Sequence, residues 1–134
     1  MHPTLHSDAQ AIIRRSIQAV LPDEAVRRAL QGRTFSGKVV LVAAGKAAWQ
    51  MAKAARQVVR ADRGVVVTKY DHVGGPIAGI ECYEAGHPVP DENSFRATRA
   101  ALAAVEGLTE GDTVLFLLSG GGSALFESPF VSGE

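Results

Sequence analysis

Apolar residues recur at helical spacing through the first segment. Ala9, Ile12, Ile13, Ile17 and Val20 share one face, with Arg14, Arg15 and Gln18 mostly outside it. Ser7, followed by Gln10, has the form of a capping box and predicts a helix start there. Pro22, with Asp23 and Glu24 behind it, predicts a second helix to about Leu30, closed by Gly32. The pattern then changes. Val39 to Ala43 is a continuous apolar, β-branched run, the mark of a strand buried on both faces. Ala47 to Arg60 returns to helical spacing, with Ala48, Met51, Ala52, Ala55, Val58 and Val59 on one side. Strands follow at Val65 to Thr68 and Ile80 to Ala85, separated by a glycine-containing loop. Asn93 or Ser94 caps a helix to about Glu106, whose predicted inner side is Phe95, Thr98, Leu102 and Val105. Val114 to Leu118 is a fourth buried strand, and Ala124 to Phe126 opens another helix.

Strands alternating with helices predict an α/β fold: an open, mostly parallel sheet with helices on both faces. Ligands of such sheets bind beyond the carboxyl ends of the strands. That rule gathers four segments on one rim: Ala44 to Ala47, Thr68 to Gly75, Gly86 to Asn93, and Ser119 to Ser123.

The length of 134 residues fits one domain, residues 1–134, and 46% apolar residues suffice for a packed core. Basic and acidic residues balance at 14 each, which argues against nucleic-acid or membrane-surface partners. No apolar stretch approaches a membrane span, and Met1 to Gln10 lacks the apolar core of a secretory signal. The expectation is a cytoplasmic protein. Cys82, the single cysteine, excludes an intramolecular disulfide and reads as a small apolar residue on a strand. Trp49, Phe95 and Phe116 read as core packing.

The chemistry lies in the rim loops. Ser119-Gly120-Gly121-Gly122-Ser123 follows an apolar strand, and its glycines allow backbone N–H groups to turn inward as an anion nest. Ser119 and Ser123 add hydroxyls; the competing reading is a flexible turn. Gly45-Lys46 places an ammonium at a helix opening, which suits an anionic group, against the alternative of a solvated lysine. It is neither a P-loop, since Val40 and Ala47 stand where glycine and Ser/Thr belong, nor a dinucleotide fingerprint, since Ala43 and Ala48 replace glycines. Gly86-His87-Pro88-Val89-Pro90-Asp91-Glu92 presents an imidazole for a substrate hydroxyl or carboxylate. Asp91 and Glu92 there read first as helix-start acids. Thr68-Lys69-Tyr70-Asp71-His72 is rich in hydrogen-bonding groups but unspecific, and no spacing supports a metal site.

Taken in order, Leu41 to Ala48, Val66 to Tyr70, Glu84 to Glu92 and Leu118 to Leu125 resemble the amino-terminal domain of class II glycerate kinases. These are the glycerate 2-kinases, whose relatives are often labelled hydroxypyruvate reductases. The resemblance runs from about Ala9 to Pro129. It implies a Rossmann-like three-layer fold and transfer of the ATP γ-phosphoryl group to the 2-hydroxyl of D-glycerate, with magnesium accompanying ATP. It implies that Lys46 is catalytic, and that Gly45, His87, Ser119, Gly120, Gly121, Gly122 and Ser123 bind substrate or phosphate.

Family members are considerably longer, and their second domain has no counterpart here. The chain is therefore expected to be inactive alone, whether as a truncation, a broken reading frame or one piece of a split enzyme. Exposed apolar surface is expected, with self-association or docking of the missing domain as its outlets. Two rival readings stand beside the kinase. One is an NAD(P)H-dependent hydroxypyruvate reductase, which the absent dinucleotide fingerprint disfavours. The other is a non-catalytic module that binds an anionic metabolite.

Overall fold

A computed structural model describes residues 3–129; the outer ends of the expected domain, residues 1–2 and 130–134, lie outside the described residues. The elements are α1 (Pro3–Val20), α2 (Pro22–Leu30), β1 (Val39–Ala44), α3 (Ala48–Arg56), β2 (Arg63–Lys69), β3 (Ile80–Ala85), α4 (Glu92–Val105), β4 (Thr113–Leu118) and α5 (Gly122–Leu125). The strands form one sheet in the order β3-β2-β1-β4, and every pairing is parallel.

The sheet is covered on both faces, as the alternation predicts. Odd-numbered β1 residues Leu41 and Ala43 meet Ala48, Ala52 and Ala55 of α3 and Val26 and Leu30 of α2. Even-numbered Val40 and Val42, with Val65 and Val67 of β2, meet Ala97 and Ala101 of α4 and Leu125 of α5. Small alanines let both helices sit close to the strands. Each fully buried Val or Leu contributes about 1.5–3 kcal/mol of transfer free energy, and β1, with all six residues buried, holds the densest row of them.

Several sequence expectations need correction. Helix α1 starts at Pro3, and Ser7 lies inside it, its hydroxyl donating to the Thr4 carbonyl at 2.9 Å instead of capping. The apolar face of α1 is real but unpacked: Ile12, Ile13, Ile17 and Val20 are all exposed. Helix α3 ends at Arg56 rather than Arg60. Gln57 and Val58 switch to tighter bonds onto Ala54 and Ala55, and Val58 turns outward. Helix α4 is capped by Asp91, not Asn93 or Ser94: the Asp91 side chain accepts from Ser94 N–H while the Ser94 hydroxyl takes the Asp91 N–H. Its inner face is Ser94, Ala97, Thr98 and Ala101, which leaves Leu102 exposed.

Strand β4 is not buried. It lies at the sheet edge, and Val114, Phe116 and Leu118 on its α4-side face are 45%, 46% and 61% exposed. Phe116 is thus no core residue, although its ring meets Phe126 edge-on at 5.6 Å. Helix α4 sits over β2 and β3 and does not reach that far across. Among the described residues no helix is long and apolar enough to cross a membrane.

Candidate functional site

The parallel sheet places the carboxyl ends of all four strands on one rim. Strand order also reverses there: β2 and β3 extend to one side of β1, while β4 lies on the other. Loops leaving β1 and β4 open in different directions, which is where open α/β sheets form their ligand crevice. The two sequences at this point are Gly45-Lys46-Ala47 and Ser119 through Ser123.

Four hydrogen bonds stitch these two loops together. Ser119 N–H donates to the Ala44 carbonyl at 2.9 Å, and Lys46 N–H donates to the Gly120 carbonyl at 2.9 Å. The Ser119 hydroxyl accepts from Ala47 N–H at 3.0 Å and lies 3.5 Å from the Ala44 carbonyl as a donor. This hydroxyl is engaged inside the protein and braces the Gly-Lys turn. Fully buried Thr68 adds a bond from its hydroxyl to the Lys46 carbonyl at 3.4 Å. The turn itself requires glycine: Gly45 has φ +120°, and a Cβ there would collide with the Ser119 hydroxyl and backbone.

Lys46 and His87 converge on the glycine loop. A Cβ added at Gly121 would lie 2.7 Å from His87 Nε2 and 3.3 Å from Lys46 Cγ, and one at Gly120 would lie 3.9 Å from Lys46 Cε. The aliphatic stem of Lys46 therefore runs along Gly120 and Gly121, with the imidazole on the same side. Gly121 takes φ +88°, and Gly122 begins α5, whose first N–H groups have no acceptor within the helix. Ser123 is exposed at the start of that helix. The arrangement offers one cation, one imidazole and a row of backbone donors to an anionic oxygen.

The other rim loops are anchored rather than open. Trp49 donates its indole N–H to the Gly75 carbonyl at 2.8 Å, and Lys53 lies 4.8 Å over its ring. Glu84 accepts from the N–H groups of His72 and Val73 at 3.0 and 2.9 Å. Tyr70 donates to Asp91 Oδ2 at 2.6 Å and accepts from Asn93 Nδ2 at 2.7 Å. Burial acts to raise the Asp91 carboxyl, but hydrogen bonds from Tyr70, Gly86 and Ser94 outweigh it and hold the group below the usual carboxylate range. Cys82 is half-buried beside the core, and burial pushes its thiol up, away from nucleophilic use. Among the described residues no three His, Cys, Asp or Glu side chains gather as metal ligands.

Tyr70, Asp91 and Asn93 form one connected group. Asp91 followed by Ser94 was a readable signal of a reciprocal cap; the reach of Tyr70 across two loops was not readable from spacing. Trp49 does more than pack, since it ties down the loop after β2.

The chain is similar to known proteins. The chain is 58% identical over 120 residues to a D-glycerate 2-kinase of Thermotoga maritima, covering 88% of this chain and 28% of that protein. It is 41% identical over 129 residues to a glycerate 2-kinase of Pyrococcus horikoshii, covering 88% and 29%. The crystal structure of a glycerate kinase from Thermotoga maritima superposes with a TM-score of 0.86 at 55% identity, covering 95% of this chain and 31% of that one. The chain thus spans less than a third of the length of these relatives. Residues 8–132 match one family throughout, the domain of unknown function DUF4147, and the chain belongs to that family.

Proposed function

We infer that the chain is the amino-terminal portion of a glycerate 2-kinase, which transfers the ATP γ-phosphoryl group to the 2-hydroxyl of D-glycerate and yields 2-phosphoglycerate. The observation that carries this reading is the convergence of Lys46 and His87 on Gly120 and Gly121, at the point where strand order reverses. The names of the Thermotoga and Pyrococcus relatives support the substrate and the reaction.

Phosphoryl transfer depends mainly on positioning and charge stabilisation. ATP, when bound, supplies the phosphoryl group. Lys46 is the catalytic residue in this reading: its ammonium neutralises charge on the transferring group or on the glycerate carboxylate. Gly120, Gly121, Gly122 and Ser123 hold an anionic oxygen through N–H groups, with the Ser123 hydroxyl beside them. His87 orients the glycerate hydroxyls, while Gly45 and Ser119 fix the turn that aims Lys46. Magnesium commonly binds through one or two carboxylates together with phosphates and water. Among the described residues no three such ligands gather, so these residues hold no cage for the ion.

The relatives' greater length fits a two-domain kinase, with this chain forming part of its first domain. The chain alone then supplies one wall of the site and does not turn over. A cytoplasmic location goes with small-metabolite phosphorylation.

The test is a coupled ATP-to-ADP assay with D-glycerate and magnesium, on this chain and on the longest product of its gene. Lys46→Ala in the longer form is expected to lower glycerate-dependent turnover about 100-fold or more. A folded long form without glycerate-dependent turnover overturns the reading.

A further inference from the structure

The loop that carries His87 is a tight ring. Gly86 and Asp91 close it: a Cβ at Gly86 would lie 2.5 Å from the Val89 carbonyl oxygen and 3.0 Å from Asp91 Cγ. His87 stands near the mouth of this ring and reaches Gly121 on a different strand's loop. Inside the ring, the Gly86 backbone bonds to the Asp91 carboxylate. The same carboxylate also ties the ring to two elements outside it. One oxygen, Oδ1, takes Ser94 N–H at 3.1 Å and so fixes the ring to α4. The other, Oδ2, takes the Tyr70 hydroxyl at 2.6 Å and so fixes it to the loop after β2.

Tyr70 is held in its turn. An ionised carboxylate can only accept, so the hydroxyl proton is committed to Asp91. Its lone pair is then free for Asn93, whose amide donates at 2.7 Å from the first turn of α4. The hydroxyl therefore spends its one donor and an acceptor position on two anchors from the neighbouring loop and helix. Tyr70 is 44% exposed and belongs to neither core cluster. A side chain outside the core, with its hydroxyl engaged on two sides, is placed for its hydrogen bonds more than its packing.

We propose that Tyr70 is a positioning residue: through Asp91 it locks the His87 loop against the glycine loop, so that imidazole, Lys46 and the Gly120–Gly122 amides face one anion. In this role Tyr70 acts through Asp91 and His87. The proposal deepens the reading of the rim as an anion site and rests on it for its ligand-binding consequence, but its geometric consequence stands alone.

The experiment compares this chain with Tyr70→Phe and Ser94→Ala. Tyr70→Phe removes only the hydroxyl. Ser94→Ala keeps the backbone N–H bond to Oδ1 but removes the hydroxyl, which accepts from Asp91 N–H at 3.1 Å and donates to Oδ1 at 3.3 Å; this weakens the α4 cap and leaves the Tyr70–Asp91 bond. Two signals are read: the NMR cross-relaxation between the His87 ring and the Gly121 α-protons, and titration with inorganic phosphate. Tyr70→Phe is expected to lose the His87–Gly121 contact and to bind phosphate about tenfold more weakly. The sheet amides should stay unmoved. Ser94→Ala is expected to lower thermal stability while keeping the contact. Asp91→Asn, which retains a capping oxygen but weakens the bond from Tyr70, should reproduce the loss seen with Tyr70→Phe. Persistence of the contact in Tyr70→Phe overturns the proposal. Equal loss in Ser94→Ala also overturns it, since general loosening would then suffice. If the unmodified chain binds no phosphate, the anion reading fails, while the contact data still decide the role of Tyr70.

Discussion

Strands β1 and β4 are neighbours of equal length and similar composition, Val-Val-Leu-Val-Ala-Ala beside Thr-Val-Leu-Phe-Leu-Leu, yet only β1 is buried throughout. Their registers match residue for residue, so Val40, Val42 and Ala44 lie beside Val114, Phe116 and Leu118 on one face. The first three are buried, Val40 and Val42 in the cluster with α4 and α5, while the second three are 45–61% exposed. An apolar run therefore states what a strand can bury, and its place in the strand order decides what it does bury. On the opposite face the two strands agree: Leu115 packs on the cluster that contains Leu41 and Leu117, under α2 and α3. Strand β4 is thus finished on one side and open on the other.

The largest expected effect sets the two strands against each other directly. Leu41→Ala should cost about 2–5 kcal/mol in chemical denaturation, because the site is sealed and cannot collapse freely. Leu118→Ala should cost less than about 1 kcal/mol. Equal losses would mean that β4 is packed as tightly as β1. A smaller effect is expected at the register partner of Val42. Phe116→Lys gives up an edge-on contact with Phe126 worth about 0.5–1.5 kcal/mol and little else. If the open edge drives self-association in sedimentation, the same change should reduce it, since a charge on an open edge discourages pairing. Association that is unchanged in the variant would put the contact surface elsewhere, with the exposed apolar face of α1 the next to test.

The smallest effect concerns how the two strands begin. Asp112 accepts from Lys38 N–H at 2.7 Å and from Thr109 N–H at 2.8 Å, tying the entry of β4 to that of β1. The Lys38 bond, followed by those from Thr109, holds its carboxyl below the usual range. A depressed carboxyl stabilises the fold above its unfolded value of about 3.9. That contribution is lost as pH falls through the lower folded value. The melting temperature of the unmodified chain should exceed that of Asp112→Asn at neutral pH, and the gap should close in acid. A gap that persists at low pH would show that the ionised form is not what holds the strands together.

Periodicity read the layout well. Strand β3 runs from Ile80 to Ala85 as expected, and the rim loops follow from the alternation alone. What it missed has a common cause, which is that side-chain spacing is local and coverage is not. The stripe on α1 and the outer face of β4 have the spacing of buried surfaces but stay largely exposed among the described residues. On α4 the inner face is set by small residues, Ala97 and Ala101, that let the helix approach, and the larger Leu102 is turned out. At the site, Gly45, Lys46 and the glycine run were visible as motifs. The approach of His87 to Gly121, and the bond from Tyr70 to Asp91, join loops far apart in sequence and leave no mark in either one.

The glycines of the rim carry unequal evolutionary information. At position 45 an added methyl group would strike the backbone of Ser119 as well as its side chain, so no replacement at 119 could make room. A glycine kept there across relatives would record the crossing of two loops, whatever those loops bind. At position 120 the nearest atom is the far end of a flexible lysine at 3.9 Å, and the chain itself has space for more. A glycine kept there would record something outside the polypeptide, and position 120 is thus the better witness to the ligand.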